Sequence, residues 1–123
     1  MAAPREVRPP RRGDVYFVSF DPALGAEIKK TRPALVVQND IANRFSPVTI
    51  VAAIASRFDA ILYPTEVEIR APEAGLDADS VVLLNQIRSI DRRRLVRRVG
   101  RASQDTMRRI DRALVLSLGL VDL

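Results

Sequence analysis

The sequence predicts a small, mainly β domain of the α+β class, in which short helices and one C-terminal amphipathic helix pack on a strongly bent antiparallel sheet or barrel. Three observations carry this expectation. With 123 residues and 47% apolar positions, the chain can bury roughly two-thirds of its unfolded surface in a single core. The apolar residues fall in short β-branched runs, separated by turn signals about every ten residues. Only near the C-terminus do apolar residues recur at spacings of three and four, the period of a helix.

The elements follow in chain order. Met1 to Arg12 holds four arginines and three prolines and no apolar run, so residues 1–11 read as a flexible basic arm and 12–123 as one domain. Asp14 to Phe20 is β-branched and aromatic and ends at Asp21-Pro22, a turn signal, which makes it the first strand. A loop with Gly25 and two adjacent lysines leads to a second strand over Pro33–Gln38, with proline at the opening position that a sheet tolerates. Asn39 and Asp40 are natural caps for a turn of helix through Arg44. Val48–Ile54 is too apolar to face water on either side and is expected in the sheet centre. Thr65–Ile69 alternates apolar and acidic residues, the mark of a strand with one wet face, and belongs towards an edge. A loop from Ala71 to Asp79 precedes a strand from Ser80 that runs on towards Ile90. After a basic turn over Asp91–Leu95, Val96–Val99 is a last strand. Met107, Ile110, Leu114 and Leu118 then line one face of a helix, with Ser103 as N-cap and Gly119 as stop.

Composition excludes much chemistry. The chain has neither Cys nor His, which removes disulfides, thiolate nucleophiles, imidazole acid–base pairs and nearly every zinc, haem or iron–sulfur site. Lys and Arg number 20 against 15 acidic residues, a net charge of +5, which favours an anionic partner. The excess is local: Asp91 to Arg112 contains nine arginines and three aspartates. That segment is either a phosphate-binding surface or a solvated face laced with ion pairs. Its lack of interleaved aromatics argues against a base-stacking platform there. No segment reads as a signal-peptide core or approaches the roughly 18 apolar residues that cross a bilayer, so a cytoplasmic protein with no membrane contact is expected.

Five segments in order carry a more specific signal: Arg12-Gly-Asp-Val-Tyr16, Arg32-Pro-Ala-Leu-Val-Val-Gln-Asn-Asp40, Ile50-Val-Ala-Ala-Ile54, Asp79-Ser-Val-Val-Leu-Leu84 followed by Gln86-Ile-Arg88, and Ser117-Leu-Gly-Leu120. Together, over roughly residues 11–120, they resemble the MazF/PemK family of toxin endoribonucleases. The resemblance implies an SH3-like barrel, a homodimer, metal-independent cleavage of single-stranded RNA such as mRNA, no cofactor, and silencing by a cognate antitoxin with an acidic tail. The missing residue types suit that chemistry. When the RNA's own 2'-hydroxyl attacks the adjacent phosphate, the protein supplies neither nucleophile nor metal and has only to stabilise charge and move protons.

The resemblance also assigns residues. Arg32 stands at the family's catalytic arginine, and its planar fork can hold two phosphate oxygens. Glu27, five residues earlier, orients Arg32 or accepts the 2'-hydroxyl proton, or else simply balances Lys29 and Lys30. The family's loop usually reads Gly-Ser-Glu-Gln, whereas here it is Gly25-Ala26-Glu27-Ile28. The family's catalytic threonine aligns with Ala55, which has no hydroxyl. The adjacent Ser56 replaces it only if the strand ends or bulges there, because successive strand residues point to opposite faces. Otherwise Ser56 is a turn serine. Gln86 matches a glutamine that contacts RNA, or else it is a polar residue at a strand end. Lys29, Lys30, Arg57 and Arg88 complete the expected RNA-binding set. A non-catalytic alternative is open because of Ala55: a toxin or binding module on the same fold that poisons a protein target such as gyrase, or binds RNA without cutting it.

Overall fold

Alternation along the strands gives one sheet two faces with different fates. In the computed structural model, which describes residues 8–20, 31–56 and 61–122, six strands form a single sheet in the order β4-β5-β3-β2-β1-β6, with every neighbouring pair antiparallel. They are β1 (Asp14–Ser19), β2 (Thr31–Val36), β3 (Val48–Ala55), β4 (Glu66–Ile69), β5 (Ser80–Asp91) and β6 (Leu95–Arg101). Two helices accompany them, α1 (Asp40–Phe45) and α2 (Gln104–Ser117). As the patterning requires, the apolar β3 is interior and the alternating β4 is an edge.

The larger core lies on one face, where Val15, Leu35, Ala52, Ile54, Ile69, Val82 and Leu84 pack against Ile110 and Ala113 of α2. The opposite face holds a smaller cluster of Val18, Ala34, Val36, Val51 and Ile90, with Tyr16, Phe20 and Leu95 at its margin. Burial raises the Tyr16 phenol pKa, as does the Asp14 carboxylate, against the opposing pull of Arg98 and Arg92, so it stays a neutral hydroxyl at neutral pH.

The two sheet edges are bridged by the turn after β4. Gly75, at φ +74°, lies so close to β6 that a Cβ there would meet the Val99 carbonyl oxygen at 2.2 Å, and one at Gly100 would meet the Ala74 oxygen at 2.3 Å. Only glycine permits that approach of two backbones. Glu73 completes the bridge, accepting from the Ser103 N–H at 3.1 Å and the Thr106 hydroxyl at 2.6 Å at the start of α2. Burial raises its pKa, but these hydrogen bonds outweigh that effect and hold the carboxyl below its usual value.

The caps are those the sequence indicates. Asn39 Oδ1 accepts from the Ala42 N–H at 2.8 Å and Ser103 Oγ from the Thr106 N–H at 3.1 Å. A buried network fastens α1 to β3: Asn43 Oδ1 accepts from Gln38 at 3.0 Å and from the Thr49 hydroxyl at 2.7 Å, and its amide donates to the Gln38 carbonyl.

Several expectations need correction. β2 opens at Thr31, so Pro33 is its third residue; it faces Phe17 of β1, and pairing with β3 begins only at Ala34. Leu118 does not join the apolar face of α2 and is 53% exposed, because the helix ends at Ser117 and the chain turns away through Leu118 and Gly119. Residues 1–7 of the basic arm lie outside the described residues, while Pro10 is buried and the Arg11 N–H donates to Asp14 at 3.0 Å. Packing therefore begins before Arg12.

Candidate functional site

β5 is built to present polar side chains at its middle. Its register with β3 runs from Ala52 opposite Ile87 directly to Ala53 opposite Leu83, leaving Leu84, Asn85 and Gln86 without partners in β3. Leu84 turns into the larger core, and its N–H donates to the Thr65 carbonyl at 2.9 Å. Asn85 and Gln86 are exposed. Such a bulge bends the strand and re-aims the side chains beside it.

Arg32 is set by the register of β2. It alternates with Ala34 and Val36 on the face of the smaller cluster and lies opposite Val18 of β1. It is exposed, and its side chain makes no hydrogen bond or ion pair among the described residues. Arg88 shares that face through its pairing with Val51. Its guanidinium lies 5.1 Å from the centre of the Phe20 ring, and it too lacks a carboxylate partner among the described residues.

Two adjoining clefts share Arg32 as a wall. One, of about 300 Å³, is lined by Phe20, Arg32, Pro33, Gln86, Ile87 and Arg88. The other, of about 380 Å³, is lined by Arg32, Pro33, Ala55, Ser56 and Ser80. β3 ends at Ala55, so Ser56 stands just past the regular strand and is not bound to the alternation. Ala55 itself follows Ala53, which faces Ala34, and so shares the face and the strand end of Arg32. The structure thus brings Arg32, Ser56, Gln86 and Arg88 together. Glu27, Lys29, Lys30 and Arg57 lie outside the described residues. Phe20, which the sequence marks only as a strand residue, joins them at the first cleft as an aromatic side chain in step with Val18.

The arginine-rich segment is used differently. Arg98 and Arg101 both bond Asp14, a carboxylate only 4% exposed, at 3.2 and 3.1 Å. Arg93 pairs with Asp91, Arg108 with Asp105, and Arg109 donates to the Glu68 carbonyl at 3.0 Å. The hydrogen bonds from the Arg93 side chain and N–H lower the Asp91 pKa to about 2. Arg97 lies 4.9 Å over the Phe17 ring, on the face opposite the clefts. Among the described residues, no group of three or more carboxylates converges to hold a metal ion, and no helix is long and apolar enough to cross a membrane.

Residues 11–118 match the family described as PemK-like, MazF-like toxin of type II toxin–antitoxin system. The chain belongs to this family. Endoribonuclease EndoA of Bacillus subtilis is 48% identical over 112 residues, covering 91% of this chain and 97% of EndoA. The same fold is seen in MazF from Deinococcus radiodurans, at 30% identity and a TM-score of 0.72, covering 92% of this chain and 99% of that one. A mycobacterial endoribonuclease solved with its cognate antitoxin gives 27% identity and a TM-score of 0.73, covering 91% and 97%. As a PemK-like, MazF-like toxin, the chain has the mostly β sheet and C-terminal helix that these relatives share, and the open clefts lie on the sheet face opposite α2.

Proposed function

We propose that this chain is an endoribonuclease toxin that cleaves single-stranded RNA, mRNA included, at short selected sequences and without a metal ion. The observation that carries the reading is Arg32: an exposed guanidinium with no partner among the described residues, on the wall between two clefts that also present Ser56, Gln86 and Arg88. A strand-anchored arginine that no described residue pairs with suits an anion that arrives from outside.

The chemistry follows from what such a site can supply. The RNA's 2'-oxygen attacks the adjacent phosphorus and loses its proton to a base. The bond from phosphorus to the 5'-oxygen then breaks, and that oxygen gains a proton, leaving a 2',3'-cyclic phosphate and a 5'-hydroxyl. Arg32 holds two non-bridging oxygens as negative charge grows on them. Ser56 donates a further hydrogen bond to the phosphate. Glu27 serves as the base or orients Arg32, and Gln86, Arg88, Lys29, Lys30 and Arg57 bind the strand on either side. DNA, which lacks the 2'-hydroxyl, is not cut.

The toxin works as a homodimer in the cytoplasm and is silenced by a cognate antitoxin whose acidic tail competes with RNA for the clefts. The net charge of +5 and the antitoxin complex solved for the mycobacterial relative support the antitoxin as partner. Incubating the protein with a long mixed-sequence single-stranded RNA in excess EDTA, and mapping the new 5' ends, tests the whole proposal. Cleavage at recurring short sequences is expected. Binding without cleavage would instead favour the non-catalytic reading that Ala55 suggests, and a strict requirement for added Mg²⁺ would refute the metal-free route.

A further inference from the structure

The cleft beside Arg32 has a division of labour that the phosphate chemistry does not use. Phe20, Pro33 and Ile87 make an apolar floor, while Arg32, Gln86 and Arg88 stand at the rim. Phe20 is half-buried: it packs against the smaller cluster and also lines the cleft. It follows directly on Ser19, the last residue of β1, and its packing against that cluster holds the ring. Arg88 lies over that ring at 5.1 Å from its centre. A flat apolar surface next to a phosphate-binding arginine, with an amide at its edge, matches the parts of one nucleotide: base, phosphate and base edge.

We propose that Phe20 is the base-stacking platform of this toxin, receiving the base of a nucleotide that flanks the phosphate held by Arg32, with Arg88 as the cationic layer of the stack and Gln86 at the base edge. The inference rests on the endoribonuclease reading above and adds to it a residue that sets substrate preference. Base stacking on an aromatic ring tolerates any base, and an amide that both donates and accepts supplies the discrimination. The molecule carries its own control. Arg97 lies over Phe17 at 4.9 Å in the same kind of pair, but strand alternation puts Phe17 on the opposite face, away from the cleft.

The test compares wild type, Phe20→Leu, Phe20→Tyr and Phe17→Leu on a long mixed-sequence single-stranded RNA, reading KM, kcat and the mapped cleavage sites, with melting temperatures to establish folding. Phe20→Leu keeps apolar volume and loses the ring. It is expected to raise KM about tenfold, leave kcat within about twofold, and broaden the base preference at one position next to the cut. Phe20→Tyr keeps the ring and is expected to keep both KM and the site profile, as is Phe17→Leu. Unchanged KM and profile in Phe20→Leu, with wild type cutting normally, would overturn the platform and leave the endoribonuclease reading standing. Equal KM losses in the folded Phe20→Leu and Phe17→Leu variants would also overturn it, since the effect would then not belong to the cleft. No cleavage by wild type would sink both.

Discussion

The arginines of this protein fall into two groups, those around β6 and those around the clefts. In the first, Arg98 and Arg101 close on the buried Asp14, Arg93 on Asp91 and Arg108 on Asp105, so the densest run of positive charge is largely tied up within the fold. In the second, Arg32 has no partner among the described residues, and Arg88 has only a ring beneath it. Charge density in a sequence therefore points away from the candidate site. What marks the site is cationic charge that no described residue neutralises, on a rigid strand, where the free energy of pairing is kept for a ligand.

The difference between the two groups is largest at Arg32. Arg32→Ala is expected to slow cleavage about a hundredfold, on the order of 3 kcal/mol, by analogy with the loss of an oxyanion donor. Because the side chain bonds to nothing described in the fold, its melting temperature should stay within a degree or so of wild type. Asp14→Ala should do the reverse. It strands Arg98 and Arg101, removes the acceptor of the Arg11 N–H, and should lower stability by about 2 kcal/mol in urea unfolding, with kcat unchanged at a temperature where the variant is folded. A large stability loss in Arg32→Ala, or a large kcat loss in folded Asp14→Ala, would mean that the two groups are not distinct.

How much of this was readable in the sequence depends on how far apart the deciding residues lie. Caps such as Asn39 and Ser103, the edge position of β4 and the interior position of β3 follow from local residue types and period, and all appear in the structure. Short motifs single out Arg32, Gln86 and Arg88. The fate of the arginine-rich segment could not be read, because Asp14 lies 84 residues from Arg98 and only the β1–β6 register joins them. The break in the β3–β5 register was equally hidden, since Leu84, Asn85 and Gln86 continue a strand-like run and only the opposing β3 reveals that they lack partners. The role proposed for Phe20 is hidden for a related reason: it depends on Arg88, on a strand that does not neighbour β1.

The second cleft, between Arg32 and Ser56, is open to a third test. With β3 ending at Ala55, the Ser56 hydroxyl can turn towards a phosphate held by Arg32, and Ser56→Ala should slow cleavage about tenfold, or ~1.4 kcal/mol, the loss of one neutral hydrogen bond. Ala55 shares the face of Arg32, so Ala55→Thr places a hydroxyl on the correct side. If Ser56 already fills that role, Ala55→Thr should change the rate by less than about threefold. A tenfold gain in Ala55→Thr with no loss in Ser56→Ala would show that Ser56 is a turn residue and that the site lacks its second donor.

The smallest effect concerns Glu73, which takes part in the structural pairing around β6 and α2 through the Ser103 N–H and the Thr106 hydroxyl, with Arg109 nearby. Its carboxyl titrates below its usual value in the folded protein, because those hydrogen bonds outweigh the upward push of burial. A depressed carboxylate contributes stability that is fully present above the unfolded-state pKa of about 4.3 and is lost as pH falls through the lower folded value. Glu73→Gln keeps an acceptor and loses the charge, so it should cost about 1 kcal/mol at pH 7 and progressively less below pH 4. Melting curves of wild type and Glu73→Gln from pH 7 to pH 3 measure this directly, and a gap that widens with acid would mean that Glu73 is held neutral. Since Glu73 is remote from the clefts, RNA cleavage at pH 7 should be the same in both proteins; a change in KM there would extend the RNA-binding surface to the turn that bridges β4 and β6.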